Sequence, residues 1–441
     1  MRLWLKILMV AAMTIAILVP LMLVRGVIHE RQQYRAEAVA SIAASYGGAQ
    51  LLAGPVLVVP YTESVEEEVT DASGIVRRVV RRRDRQWTFF PDTLLVDGEL
   101  LPEARRRGLH EVRVYEWKGA MAARFDVRIP DDAGAGTSRQ VGRPWLAHAI
   151  ADVRGLRELP KLAMDGRALP LAQGIGHADG PGVHARLPAP APGARLAFAT
   201  RLELGLRGTE RFAMLPVARD NDLRLRSAWP HPKFEGISPQ QDGVDAGFSA
   251  RWRVASLATN AQQAYRQQPG LDAAAWTTAP DAASVSLVDP VNAYVLADRA
   301  TKYGLLFVLL TFVGFFMFEL VKQLPIHPIQ YLLVGLAIAI FFLLLVSLGE
   351  HIAFGWSYLA AAAACIGLIG FYLSAVLGSA WRGAGFASML ATLYGALYGL
   401  LVSEDNALVL GTGLLFVVLA TIMVVTRKVD WYRVPTTGGA A

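Results

Sequence analysis

Residues 299–322 read RATKYGLLFVLLTFVGFFMFELVK, and the reading of the whole chain turns on this stretch. The sequence before it, residues 29–298, has the alternation and turn punctuation of a water-soluble, strand-rich domain. From residue 303 the chain is apolar almost to its end. A helix that crosses a bilayer needs about 18 or more predominantly apolar residues. Six segments meet or approach that length: 7–24, 303–321, 329–348, 352–377, 383–403 and 407–426. Only the second of them holds a charge, Glu319, one turn from Lys322. That spacing predicts an interfacial position where both side chains snorkel to water. The first segment follows Arg2 and Lys6, as a signal peptide's would, and small residues at Ala36–Ala40 offer a cleavage site. Its apolar run exceeds a usual signal core, and the cleavage site lies far beyond it, so a retained anchor is expected.

Orientation follows from the basic residues beside the short loops. Six spans put Arg2, Lys6, Lys322, Arg382, Arg427, Lys428 and Arg433 on one side. The opposite loops carry Glu350 with His351 and Glu404 with Asp405, and no lysine or arginine. Both termini are then cytoplasmic and the large domain lies outside the cytoplasm. Arg25, Arg31 and Arg35 run against the rule, but long translocated domains are largely exempt from it. The expected organisation is an anchor over 1–28, an external domain over 29–298, a five-helix bundle over 299–428 and a cytoplasmic tail over 429–441. The lone cysteine, Cys365, lies in the fourth span, so the external domain is built without disulfides. A net charge of +6, spread along the chain, argues against nucleic acid as a partner.

Within the domain, residues 31–50 have helical character and stop at Gly47-Gly48. LLAGPVLVVPY, 51–61, reads as a buried strand. Residues 63–90 then fold about a turn at Asp71–Gly74, which places Glu68 opposite Arg77, Glu67 opposite Arg78 and Glu63 near Arg82. HEVRVYEW, MAARFDVRI, PWLAHAIADV, ARLAFATRLELGLRG, NDLRLRSAW and GFSARWRVASL read as further strands. Their spacing suggests a β-sandwich or two small sheets, with a loop at 177–195 and a subdivision near residue 190.

Catalytic signatures are missing: there is no G-x-S-x-G, Walker loop, H-E-x-x-H or C-x-x-C. The residues suggest neither an enzyme nor a cofactor. His177, Asp179 and His184 flank one Gly/Pro loop but lack a third ligand at metal-site spacing. His231, between Pro230 and Pro232, reads as a rigid corner. Arg77, Arg78, Arg81, Arg82 and Arg83 form either a partner- or anion-binding surface or one side of cross-strand ion pairs. Glu350, His351, Glu404 and Asp405 form either a polar patch on the outer face of the bundle or loop groups satisfied by water. Gly395 and Gly399 make a G-x-x-x-G pair, suited to helix packing within the bundle or between copies.

DRATKYGLLFVLLTFVGFFMFE, HPIQYLLVGLAIAIFFLLLVSLGEH and LGTGLLFVVLATIMVVTRKVDWY resemble the membrane region of the CreD family of inner-membrane proteins. LLAGPVLVVP, SAWPHPKFEG and GFSARW extend the resemblance into the periplasmic domain in the same order. It implies a multi-pass protein of the Gram-negative inner membrane, associated with cell-envelope integrity in a two-component regulon, and carries over no catalytic residue. The expected fold is α+β: six transmembrane helices, with a large β-rich, sandwich-like domain between the first and second. The expected function is non-enzymatic, with the domain binding or sensing an unknown periplasmic or membrane partner. The alternative is a transporter or channel for a small molecule or envelope precursor.

Overall fold

The computed structural model describes residues 3–70, 76–131, 137–176, 180–244, 247–268, 279–287, 293–322, 327–403 and 406–427. The chain forms two compact units, one of residues 36–290 and one of residues 1–35 with 291–441.

Helix α1, Leu3–Tyr46, runs without a break from the apolar anchor through the segment expected as a separate helix. It stops where Gly47 takes a φ of +108°, a conformation open to glycine but strained for other residues. Strand β1, Gln50–Thr70, follows. Residues 51–59 of β1 are buried on both faces, which is why they read as a continuous apolar run rather than an alternating one. One edge of that buried half pairs in parallel with Arg211–Leu215, and the other pairs antiparallel with the strand Trp145–Ile150.

A second sheet is centred on β3, Thr93–Arg107, and β4, His110–Arg128, with β2 being Val76–Phe89. HEVRVYEW and MAARFDVRI, expected as two strands, are one: β4 keeps register with β3 and with Arg195–Thr209 straight through Lys118-Gly119-Ala120. Alternation sorts the faces of this sheet. Leu202, Leu204 and Leu206 are buried, while Arg201 and Glu203 between them are exposed. The two layers meet where Trp117 stacks on Phe212 at 5.5 Å and Tyr115 meets it edge-on at 6.0 Å. Trp117 has room because Gly98 and Gly119 face each other beneath its indole. A Cβ at Gly98 would fall 2.4 Å from Trp117 Nε1. One core cluster holds residues from Leu51 to Leu287, on both sides of residue 190.

The other unit contains the helices α3, Ala293–Lys302, α4, Gly304–Lys322, α5, Pro328–Gly349, α6, Phe354–Val376, α7, Ala380–Val402, and α8, Ala407–Thr426; α2, Ala261–Gln267, belongs to the β unit. Among the described residues, α1, α5, α6 and α7 are long and apolar enough to cross a membrane. Tyr294–Lys302 and Gly304–Met317 qualify together as a pair bent by 47°, and Leu408–Val424 is a shorter apolar helix. Close packing starts at Gly335 of α5, where a Cβ would lie 2.6 Å from Ile17 of α1.

Glu319 departs from expectation. It is 4% exposed and accepts a hydrogen bond from the Tyr331 hydroxyl at 2.9 Å, so it is buried among helices and does not snorkel. The pull to bury the apolar residues around it (Phe312, Phe315 and Tyr331 are fully buried) carries the carboxylate inward, where the phenol of α5 supplies a donor.

Among the described residues of the β unit, several buried polar atoms lack a hydrogen-bond partner, and His148 is the titratable case in which both ring nitrogens do. His148 is 1% exposed, and neither ring nitrogen has a hydrogen-bond partner. Burial lowers its pKa to about 4. Below its ordinary value of 6.5 the unfolded chain takes up a proton that the folded chain refuses. The stability is therefore intact above pH 6.5 and is lost as pH falls toward 4, by about 3 kcal/mol in all. Hydrogen exchange of amides in residues 145–150 of the full chain should report that slope, and His148→Leu should flatten it. A slope unchanged in the variant would assign it to another group.

Candidate functional site

From Tyr61 onward β1 leaves the core and continues as the middle strand of an arm. β2 lies along one edge and β5, Thr137–Val141, along the other. Residues 78–86 of β2 are all exposed, whichever way they point. The register differs from the expected one by a residue. Glu68 sits opposite Arg78 rather than Arg77, Glu67 opposite Val79, and Glu63 opposite Arg83 rather than Arg82. The base of the arm sets it: Leu57 pairs with Phe89 and Val59 with Trp87, and Tyr61 stacks on Trp87 at 3.9 Å. Counting outward from there pairs Thr70 with Val76, so five residues separate the strands instead of the four expected.

The shift changes what the arginines meet. Arg77 sits opposite Val69, Arg81 opposite Val65, Arg82 opposite Ser64 and Arg85 opposite Tyr61. Only Arg78 and Arg83 stand directly opposite a glutamate, while Arg85 reaches Glu63 diagonally at 3.5 Å. Strand alternation also sorts the charges. One face carries Arg81, Arg83, Arg85, Arg139 and, by register, Arg77, against Glu63 and, by register, Glu67. The opposite face carries Arg78 and Arg82 against Glu66, Asp84 and, by register, Glu68. The first face is net positive and the second net negative.

At the centre of the positive face Glu63 is 7% exposed, held by Arg139 at 3.0 Å and Arg85 at 3.5 Å. The Arg139 guanidinium also lies 5.7 Å from the Tyr61 ring and 5.9 Å from the Trp87 ring, within cation–π range. Aromatic stack, guanidinium and carboxylate thus interlock at the base of the strand that carries Arg81 and Arg83. Sequence reasoning missed Tyr61, Trp87 and Arg139, since Arg139 meets Glu63 across 76 residues of chain.

The second sheet's outer face holds a groove of about 600 Å³, but its charges answer one another. Asp97 pairs with Arg226 at 3.1 Å, Glu116 with Arg157 at 2.8 Å and Glu203 with Arg201 at 2.9 Å. Of the histidines, His184 contacts the Gly174 carbonyl at 2.9 Å, while His177 and Asp179 lie outside the described residues. At the expected corner, the His231 carbonyl accepts a hydrogen bond from Trp229 Nε1 at 2.8 Å. Among the described residues no three His, Cys, Asp or Glu side chains converge as metal ligands would.

In the helical unit the polar residues divide differently from the expected patch. Glu350 pairs with Arg31 of α1 at 3.4 Å and accepts from the Tyr294 hydroxyl at 3.2 Å, while His351 is exposed. Glu404 and Asp405 lie outside the described residues. Arg31, one of the arginines that ran against the charge rule, thus has a carboxylate partner. Gly395 and Gly399 are exposed on α7, and a Cβ on either would meet nothing within 4 Å. The contact between α6 and α7 uses other small residues: a Cβ at Gly383 would fall 2.0 Å from Ser374 Oγ, and one at Gly370 would fall 3.1 Å from Ala387.

The family model described as Inner membrane protein CreD matches residues 2–432. Among curated proteins, Inner membrane protein CreD of Escherichia coli (strain K12) is 35% identical over 419 residues, covering 94% of this chain and 91% of that one. Among solved structures, an M1 zinc metallopeptidase from Deinococcus radiodurans matches 37% of this chain and 38% of its own at 11% identity. Its TM-score of 0.17 is too low to carry an argument.

The ion pair between α1 and α5 is directly testable. Glu350→Gln and Arg31→Gln should each lower the thermal stability of the purified full chain. The double variant should lose less than the sum, with a coupling of roughly 1 kcal/mol. Additive losses would show that the two side chains act separately.

Proposed function

The chain belongs to the CreD family of inner membrane proteins, and from that premise we propose that it is a non-enzymatic envelope protein that binds an anionic envelope component through the positive face of its β1–β2–β5 arm. In this reading the six apolar segments all cross the membrane, both termini are cytoplasmic, and residues 36–290 stand in the periplasm. Arg31 loses its weight against that orientation because Glu350 neutralises it. The observation that carries the reading is the unequal charge of the two arm faces. Ion pairing alone calls for matched faces, whereas here three arginines of one strand share a face with a buried glutamate already engaged by Arg85 and Arg139. Occupancy of such a surface by an envelope component supports a role in envelope integrity.

The transport alternative draws support from Glu319, a carboxylate buried within the helices. Its own test is flux in proteoliposomes with Glu319→Gln: a loss of flux in a stably folded variant would favour transport over binding.

Two measurements address the main reading. Photo-crosslinking probes in living cells at Val79 and Thr137, on the positive face, should capture a discrete adduct. Probes at Ser138 and Gln140, on the opposite face, should capture far less. Equal yields from both faces, or none from either, would remove the arm as the binding site. We also propose that copies of the chain associate through Gly395 and Gly399, which are exposed and where an added Cβ would meet nothing within 4 Å. Gly395→Leu with Gly399→Leu should then leave the fold intact and reduce energy transfer between labelled copies in a bilayer. Unchanged transfer would place any association elsewhere.

A further inference from the structure

The component that the positive face would recognise has a chemistry that can be narrowed from its geometry. Arg81, Arg83 and Arg85 occupy alternate positions of one straight strand, so their Cα atoms repeat at roughly 7 Å along a line. A pocket for a small phosphate needs donors that converge on one point, as a nest of backbone N–H groups or a bidentate clamp does. A row of cations spaced along an extended strand suits a plane of separate anions instead. The apolar groups agree. Val79, on the same face just beyond Arg81, is 42% exposed, and Trp87, half-buried at the base, is stacked on Tyr61. Basic residues interleaved with apolar and aromatic ones along one face are what a membrane interface receives.

We infer that this face, Arg81, Arg83, Arg85 and Arg139 with Val79 and Trp87, docks on the headgroup plane of a bilayer containing anionic phospholipid. The inference rests on the reading of the arm as the binding surface and names its partner. Glu63, bound to Arg139 and Arg85, fixes those two guanidinium groups at the base of the row.

The opposite face supplies an internal control, because Arg78 and Arg82 stand on the same strand a residue away. Arg81→Gln/Arg83→Gln and Arg78→Gln/Arg82→Gln remove the same charge from the same strand but from different faces. The full chain, held in nanodiscs of phosphatidylcholine alone, would be mixed with separate vesicles of phosphatidylcholine, with or without phosphatidylglycerol. Co-flotation is the readout. The expected result is flotation only with phosphatidylglycerol, weakened by salt. For the Arg81/Arg83 double variant partitioning should fall about thirtyfold, at roughly a fivefold loss per arginine near a charged surface. The Arg78/Arg82 variant should float nearly as the parent does.

Equal losses in both double variants would reduce the effect to net charge and overturn the assignment to a face. Flotation with pure phosphatidylcholine would overturn the requirement for anionic lipid. Displacement by inorganic phosphate at matched ionic strength would replace the bilayer plane with a phosphate site. Failure to float, together with a protein adduct from Val79 or Thr137 in cells, would sink the lipid inference and leave the arm's binding role standing.

Discussion

Buried backbone N–H and C=O groups must find partners, and β1, 21 residues long, finds strand neighbours on both edges along much of its length. It does so by changing neighbours halfway. The parallel strand Arg211–Leu215 gives way to β2 on one edge, and Trp145–Ile150 gives way to β5 on the other. The buried half anchors the sandwich core and the exposed half becomes the arm. Because the strand is continuous, the register of the arm is decided in the core, where residues such as Leu57 and Val59 are buried on both faces and a shift of one place would misfit the packing of both layers. The sorting of arginines onto two faces follows from packing several residues away.

In the helical unit a similar demand acts on charge. A carboxylate taken out of water needs a donor or a cation. Glu319 has the Tyr331 hydroxyl, and Glu350 has Arg31 and the Tyr294 hydroxyl. The Glu350 contacts join helices far apart in sequence and the Glu319 contact joins the successive helices α4 and α5, so these few polar groups help to hold particular helices together while the apolar surface supplies most of the burial. Small residues do the same for α6 and α7, where Gly370 and Gly383 permit close approach and the Gly395–Gly399 pair is left facing outward.

Much of this was legible before any coordinates. The apolar runs announced the helices. The alternation of RLELGLRG announced a half-buried strand, and Gly47-Gly48 the end of the first helix. What misled were boundaries and registers. HEVRVYEW and MAARFDVRI looked like two strands because Lys118-Gly119-Ala120 interrupts the pattern, yet the gap serves to seat Trp117 over Gly98 and Gly119. The arm's register was read from its turn, the weakest-determined end. Arg31 was visible as an exception to the charge rule, but nothing local pointed to a partner more than 300 residues away.

The sequence by itself determined composition-driven properties: which segments leave water for an apolar phase and which strands have one wet face. Those depend on side-chain transfer free energies and local periodicity, both of which are written in order along the chain. Tertiary structure alone decided pairing: that Glu63 meets Arg139 and Arg85, that Glu319 turns inward to Tyr331, and that Arg81 and Arg83 share a face from which Arg82 is excluded. The physical reason is that a strand alternates with a period of two, so a single residue of register reverses every face, and register is set by long-range packing rather than by nearest neighbours.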